Sequence, residues 1–141
     1  MSDHSKIIIS ACLAGEECRY DCHAKPNLQM IELVKSGKAI SLCPEQLGGL
    51  STPRPAAEIQ SNEKVLTIDE NDVSDEYALG AQEAWNQTKN FTIKKAYLKS
   101  KSPMCGFGQI YDGSFSGKLI KGNGVFAALL IRLGIEIESI E

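Results

Sequence analysis

Apolar positions in this chain fall into short runs separated by polar stretches rich in glycine and proline, and the runs alternate between two periodicities. Ile7-Ile8-Ile9 with Ser10 and Ala11 is a continuous, β-branched run of the kind that fills a strand buried on both faces. After a polar loop, Pro26-Asn27 offers a stop and a cap ahead of Leu28, Met30, Ile31, Leu33 and Val34, whose spacing is helical, and Gly37 stands where a helix ends. Residues 39–42 return as a second strand, which makes a β-α-β unit with an expected right-handed crossover. Pro44 suits the first position of a short helix, with Glu45 in its first turn.

Residues 59–68 read as a hairpin or short strand, with Val65 to Ile68 as its β-prone arm and Asn62 at a turn. From Asn71-Asp72 onward Val73, Tyr77, Ala81, Ala84, Trp85 and Thr88 recur at helical intervals, which places Trp85 on a core stripe. Residues 92–98 form the next strand, 109–124 a glycine-punctuated hairpin, 125–133 an apolar helix closed by Gly134, and 135–137 a last strand. Strands alternating with helices predict an α/β fold with a mostly parallel central sheet. The 141 residues suit a single domain spanning 1–141, with no repeat or linker that divides it.

A formal net charge of −3 argues against a protein that works mainly by neutralising nucleic-acid phosphates or anionic lipid, while leaving room for a local basic groove. The first residues, Met1 to Lys6, lack the features of a signal peptide, and the longest apolar run, 125–131, is too short to span a bilayer. A cytoplasmic protein is expected. In that compartment five cysteines, an odd count, are poorly explained as a disulfide framework, and metal binding or thiol chemistry becomes the leading account.

Cys12 follows the first strand, Cys43 the second, and Cys105 comes shortly after the strand at 92–98. If these strands are parallel, the three thiols emerge at one edge of the sheet, where α/β proteins gather their chemistry. Cys18 and Cys22 lie in the loop after the first strand, beside Arg19 and Asp21, a pair suited either to a polar ligand or to fixing the loop. Glu45 has a structural role open to it, since a carboxylate is favoured in a first helical turn, and a functional one, since it stands two residues from a thiol. Ser102 has no histidine obviously placed to activate it, so a hydrogen-bonding or proton-handling group is expected there rather than a nucleophile. Residues 113–118 superficially match a phosphate-binding loop, but the glycine spacing is wrong and Leu119 stands where a hydroxyl is required.

A zinc site calls for four ligands, usually in close Cys-x2-Cys pairs, and this chain has none. An iron–sulfur cluster accepts widely separated cysteines, each thiolate on its own iron, and three protein thiolates on four irons leave one iron open. Ser10-Ala11-Cys12-Leu13, Cys18-Arg19-Tyr20-Asp21, Leu42-Cys43-Pro44-Glu45 with Gly48-Gly49-Leu50, Pro53-Arg54, Ala57-Glu58, Ser102-Pro103 with Cys105-Gly106, and Ile110-Tyr111-Asp112-Gly113 with Phe115-Ser116-Gly117 follow one another along nearly the whole chain. In this the sequence resembles the TudS-type thiouracil desulfidase family. The resemblance implies a Rossmann-like three-layer domain that holds a [4Fe-4S] cluster on Cys12, Cys43 and Cys105. It also implies non-redox desulfuration of a thiolated pyrimidine such as 4-thiouracil, with Glu45 and Ser102 in proton transfer and substrate orientation.

Three positions depart from the family pattern. Ala14 replaces a leucine, Cys22 stands where glycine is usual, and Met104 replaces a small hydroxyl residue, which is expected to alter the pocket wall. Cys18 and Cys22 are expected to support the site or the loop rather than to bind the cluster. Two rival functions remain at this stage: a non-catalytic metal or iron–sulfur module, and a thiol redox enzyme that pairs Cys18 with Cys22.

Overall fold

A computed structural model describes residues 4–141. The part of the N-terminal reading that concerns residues 1–3 lies outside the described residues. Four strands, β1 (Ser5–Ser10), β2 (Ala39–Leu42), β5 (Thr92–Lys99) and β8 (Glu136–Ile140), form the central sheet in the order β2-β1-β5-β8. All three neighbouring pairs are parallel. Two antiparallel hairpins stand apart from it: β3 (Ala57–Ile59) with β4 (Val65–Thr67), and β6 (Gln109–Tyr111) with β7 (Leu119–Lys121).

Alternation along the strands divides the apolar core into two layers. Ile8, Leu42, Ala96 and Leu98 pack on one side with Tyr77, Ala81 and Ala84 of α3 (Ser74–Asn86) and with Phe126, Ala127 and Leu130 of α4 (Val125–Arg132). Trp85 is partly buried against the same layer, as its helical spacing predicted. Ile7, Ile9, Ala39 and Tyr97 pack on the other side with Met30, Leu33 and Val34 of α1 (Leu28–Lys35). The fold is therefore the expected three-layer α/β arrangement. Asn27 caps α1 as expected, its side-chain oxygen accepting from the backbone N–H of Gln29 and Met30 at 3.0 and 3.3 Å. Among the described residues, no helix is long and apolar enough to cross a membrane.

Several boundaries differ from the sequence expectation, among them the hairpin expected over 59–68, whose first arm is already Ala57–Ile59. The first strand ends at Ser10, because Ala11 opens a single 3-10 turn (Ala11–Ala14) that closes on Gly15 at φ 95°. The last strand runs on to Ile140, paired with β5 from Lys95 to Lys99. Its acidic alternation hid it: Glu136 and Glu138 face Lys95 across the sheet at 3.2 and 3.4 Å and are exposed, so the edge strand lacks an apolar signature.

Two contacts fix the loops at the carboxyl ends of the strands. The short helix α2 (Pro44–Leu47) lies backbone to backbone on α3, and a Cβ on Gly80 would fall 1.9 Å from the Pro44 carbonyl oxygen. A Cβ on Gly48 would likewise meet the Glu76 carbonyl oxygen at 2.0 Å. The Cys105 loop, in turn, caps α4. Val125 N–H donates to the Pro103 carbonyl at 2.9 Å and Phe126 N–H to the Met104 carbonyl at 2.8 Å, which satisfies donors that a helix start leaves unpaired.

Gly80→Ala distinguishes this contact from ordinary helix propensity. At an exposed helical site the change would stabilise by about 0.5–1 kcal/mol. Here it is expected to destabilise by about 1–3 kcal/mol through overpacking, read as a lower urea midpoint. An unchanged or raised midpoint would mean that α2 does not rest on α3 in this way.

Candidate active site

Parallel pairing brings Cys12, Cys43 and Cys105 to one end of the sheet. Cys12 sits in the turn after β1, Cys43 directly precedes α2, and Cys105 lies in the loop that caps α4. All three line one cavity of about 570 Å³, as do Cys18, Glu45 and Ser102. Cys22 is not among the lining residues. It holds a positive φ of 65° in a turn that its backbone N–H closes on the Arg19 carbonyl. Arg19 and Asp21 pair at 3.8 Å and His23 lies 3.6 Å from the same carboxylate, while Arg19 also lines the cavity.

The thiols differ in how they hold their protons. Burial first, and then the neighbouring Glu45, pushes Cys12 up to about 11, and the same two causes raise Cys105 well above the ordinary thiol value. Cys43 lies lower than an ordinary thiol, chiefly because the Cys18 thiol hydrogen-bonds to it, with the Gln46 backbone N–H and Arg54 helping against burial and Glu45. Cys18 is raised correspondingly, so it keeps the proton. Buried thiols of this kind release their protons when a metal centre supplies the compensating charge.

Among the described residues, no group of three or more His, Cys, Asp or Glu side chains is arranged to hold a single metal ion. Thiols placed around a cavity suit a group in which each sulfur binds a different metal, and soft sulfur donors suit iron–sulfur chemistry. A soft all-sulfur donor set around one cavity therefore fits an iron–sulfur cluster.

Glu45 is held by a residue to which sequence reasoning gave no role. Its carboxylate pairs with the Arg54 guanidinium at 3.4 Å, and the two side chains are only 17% and 6% exposed. Arg54 also donates to the Cys18 carbonyl at 3.0 Å, the Ser51 carbonyl at 3.1 Å and Thr52 Oγ1 at 2.8 Å. One guanidinium thus ties the carboxylate to the cysteine loop. Burial is the dominant influence on Glu45 and holds its carboxyl above the usual range, against the pull of Arg54. The available signal was chemical: a carboxylate taken out of water needs a cation, and Arg54 stands in the proline-rich stretch that follows. Lys99 also lines the cavity without having been anticipated, its ammonium 3.2 Å from Ser100 Oγ.

Ser102 carries a structural load. Its hydroxyl oxygen accepts from the backbone N–H of both Met104 and Cys105, each at 3.0 Å. With both lone pairs engaged, the hydroxyl hydrogen remains to be donated, which suits Ser102 to orienting a polar group and not to acting as a base. Met104 does not form a pocket wall, contrary to expectation. It is fully buried in the core layer beneath α4, because the Ser102 turn directs it away from the cavity lined by Cys105.

The outer lip comes from the loop between β6 and β7. Glu58 accepts from the backbone N–H of Gly113 at 3.0 Å and of Phe115 at 3.1 Å. A carboxylate of the protein itself therefore occupies amides that a phosphate loop would offer to its ligand, which agrees with rejecting that motif.

The family model described as 2-thiouracil desulfurase matches residues 7–141. Protein YbbK of Bacillus subtilis (strain 168), itself uncharacterized, is 41% identical over 142 aligned positions, which cover 94% of each chain. A solved structure described as the [4Fe-4S]-dependent thiouracil desulfidase TudS is similar with a TM-score of 0.89 at 44% identity, covering 96% of this chain and 90% of that one. With three thiols and a buried carboxylate gathered at the sheet's carboxyl end, and a family match across nearly its whole length, the chain belongs to the 2-thiouracil desulfurase family, enzymes that cleave a carbon–sulfur bond.

Proposed function

We propose that this protein hydrolyses the thiocarbonyl of a thiolated pyrimidine such as 4-thiouracil, giving uracil and hydrosulfide. One observation carries the proposal: three thiols and a buried, arginine-held carboxylate face the same cavity. The atoms balance without a redox partner, because water supplies the oxygen of the new carbonyl and its two protons leave with the sulfur or pass to solvent. Residues 1–141 would act as one catalytic domain in a reducing compartment such as the cytoplasm, where the thiols stay free.

Cys12, Cys43 and Cys105 would hold a [4Fe-4S] cluster. Bound there, it supplies an open iron as a soft Lewis acid suited to a thiocarbonyl sulfur. Glu45 takes a proton from the attacking water, and its raised proton affinity makes it a better base than an exposed carboxylate. Arg54 keeps that carboxylate from turning toward solvent. Ser102 donates its hydroxyl hydrogen to a ring oxygen or nitrogen and so fixes the pyrimidine's orientation. Tyr20, Tyr111 and Phe115 offer aromatic walls to a planar ring. The cluster reading is favoured over a Cys18–Cys22 redox pair because Cys18 lines the cavity with the three other thiols and Cys22 does not.

Single serine replacements of Cys12, Cys43 and Cys105 are each expected to lose most of the iron bound on anaerobic reconstitution. Cys22→Ser should keep it. A variant at 12, 43 or 105 with full iron content strikes that residue from the ligand set. Glu45→Gln is expected to retain the visible cluster spectrum while turnover falls by on the order of 10²-fold or more. Undiminished turnover would leave Glu45 only its place in the first turn of α2.

A further inference from the structure

We propose that Cys18 and Cys43 close a disulfide in the cluster-free chain when it meets a small disulfide such as glutathione disulfide, and that this bond withdraws Cys43 from cluster binding. The withdrawal rests on the ligand set proposed above; the bond itself does not.

The two cysteines are 25 residues apart in sequence and are brought together by the fold. Cys43 Sγ lies 3.8 Å from the Cys18 carbonyl oxygen, and both cysteines line the same cavity. Both pack in the same apolar group, beside Cys12, Leu13 and Ala39. Arg54 holds the juxtaposition from outside. Its guanidinium takes the Cys18 carbonyl and the Glu45 carboxylate, and its backbone N–H donates to the Tyr20 carbonyl at 2.9 Å. The cysteine loop and the start of α2 are thereby clamped on either side of the sulfur pair. All five cysteines are free thiols, so no existing bridge competes.

Cys43 is the more exposed of the two, since Cys18 is only 5% exposed. The Cys43 thiolate attacks one sulfur of glutathione disulfide, forming a mixed disulfide and releasing one glutathione thiolate. The Cys18 thiolate then attacks the Cys43 sulfur and displaces the second glutathione. Two cysteine thiols are oxidised to one disulfide, one glutathione disulfide is reduced to two thiols, and the cysteine protons pass to the released thiolates or to solvent. A sulfur already bound to a cluster is not free to attack, so the reaction belongs to the unloaded chain. Its consequence is a chain that holds Cys18 and Cys43 as a reducible disulfide and reloads only after reduction.

The test uses the full chain stripped of iron with a chelator, treated with glutathione disulfide, then alkylated and digested after glutamate and arginine. Cleavage at Glu16 or Glu17 separates Cys12 from Cys18, and cleavage at Arg19 separates Cys18 from Cys22. The expected result is three alkylated cysteines of the five, a peptide that links Cys18 to Cys43, and reversal by dithiothreitol. Cys18→Ser should instead carry one glutathione on Cys43. Five alkylated cysteines, or a link from Cys18 to Cys12 or Cys22, overturn the proposal. Iron reconstitution then tests the withdrawal: the oxidised chain should load at least tenfold less iron until dithiothreitol is added. If the Cys18–Cys43 bond forms and loading is undiminished, the withdrawal is wrong and Cys43 leaves the ligand set, while the disulfide stands.

Discussion

Parallel pairing of β1 with both β2 and β5 is the constraint on which the rest of the site depends. Parallel strands end at the same side of a sheet, so the loops that follow them open onto a common space. Cys12, Cys43 and Cys105 are distant in sequence yet emerge together for that reason. The contacts beneath them serve the same end. The glycines at 48 and 80 let α2 sit on α3 without side chains between, which sets the height of Cys43 and Glu45. The start of α4, capped by carbonyls of the Cys105 loop, sets the third thiol.

Gathering thiols and a carboxylate in a buried place is electrostatically unfavourable, and the chain offsets this with cations, Arg54 against Glu45 foremost and Arg19 and Lys99 on the same cavity. Arg54 neutralises Glu45 at 3.4 Å and braces the cysteine loop through its carbonyl, so a single guanidinium serves charge and shape together. Burial raises Cys12 and Cys105, which stay protonated until a metal centre provides compensating charge, while Cys43 lies below an ordinary thiol. The same preorganisation that would bind a cluster leaves Cys43 beside a second sulfur when no cluster is present. Ligand supply and vulnerability to oxidation arise from one arrangement.

Much of this was legible in the sequence because it depends on local rules. Asn27 as a cap, residues 39–42 as a strand, Pro44 opening a short helix and the placement of three cysteines after strands all follow from neighbours along the chain. Features that depend on distant partners were not legible. Arg54 carries no sign that its partners are Glu45 and the Cys18 carbonyl, and Met104 turned out to face the core because the Ser102 hydroxyl bends the loop. The last strand was read too short because an edge strand paired through Lys95 and two glutamates looks polar from end to end. The rival pairing of Cys18 with Cys22 rested on closeness in sequence, whereas folding brings Cys43 Sγ to 3.8 Å from the Cys18 carbonyl oxygen.

The most direct measurement is single-chain turnover by anaerobically reconstituted protein with 4-thiouracil in water enriched in heavy oxygen. Iron and acid-labile sulfide are counted on the same sample. A hydrolytic site built on three thiolates and a carboxylate predicts roughly four irons per chain, loss of the thiocarbonyl absorbance without added reductant, and hydrosulfide equal to the uracil formed. That uracil should carry one heavy oxygen. A fully loaded chain that leaves 4-thiouracil and 2-thiouracil untouched, or that yields uracil without solvent oxygen, would contradict the account.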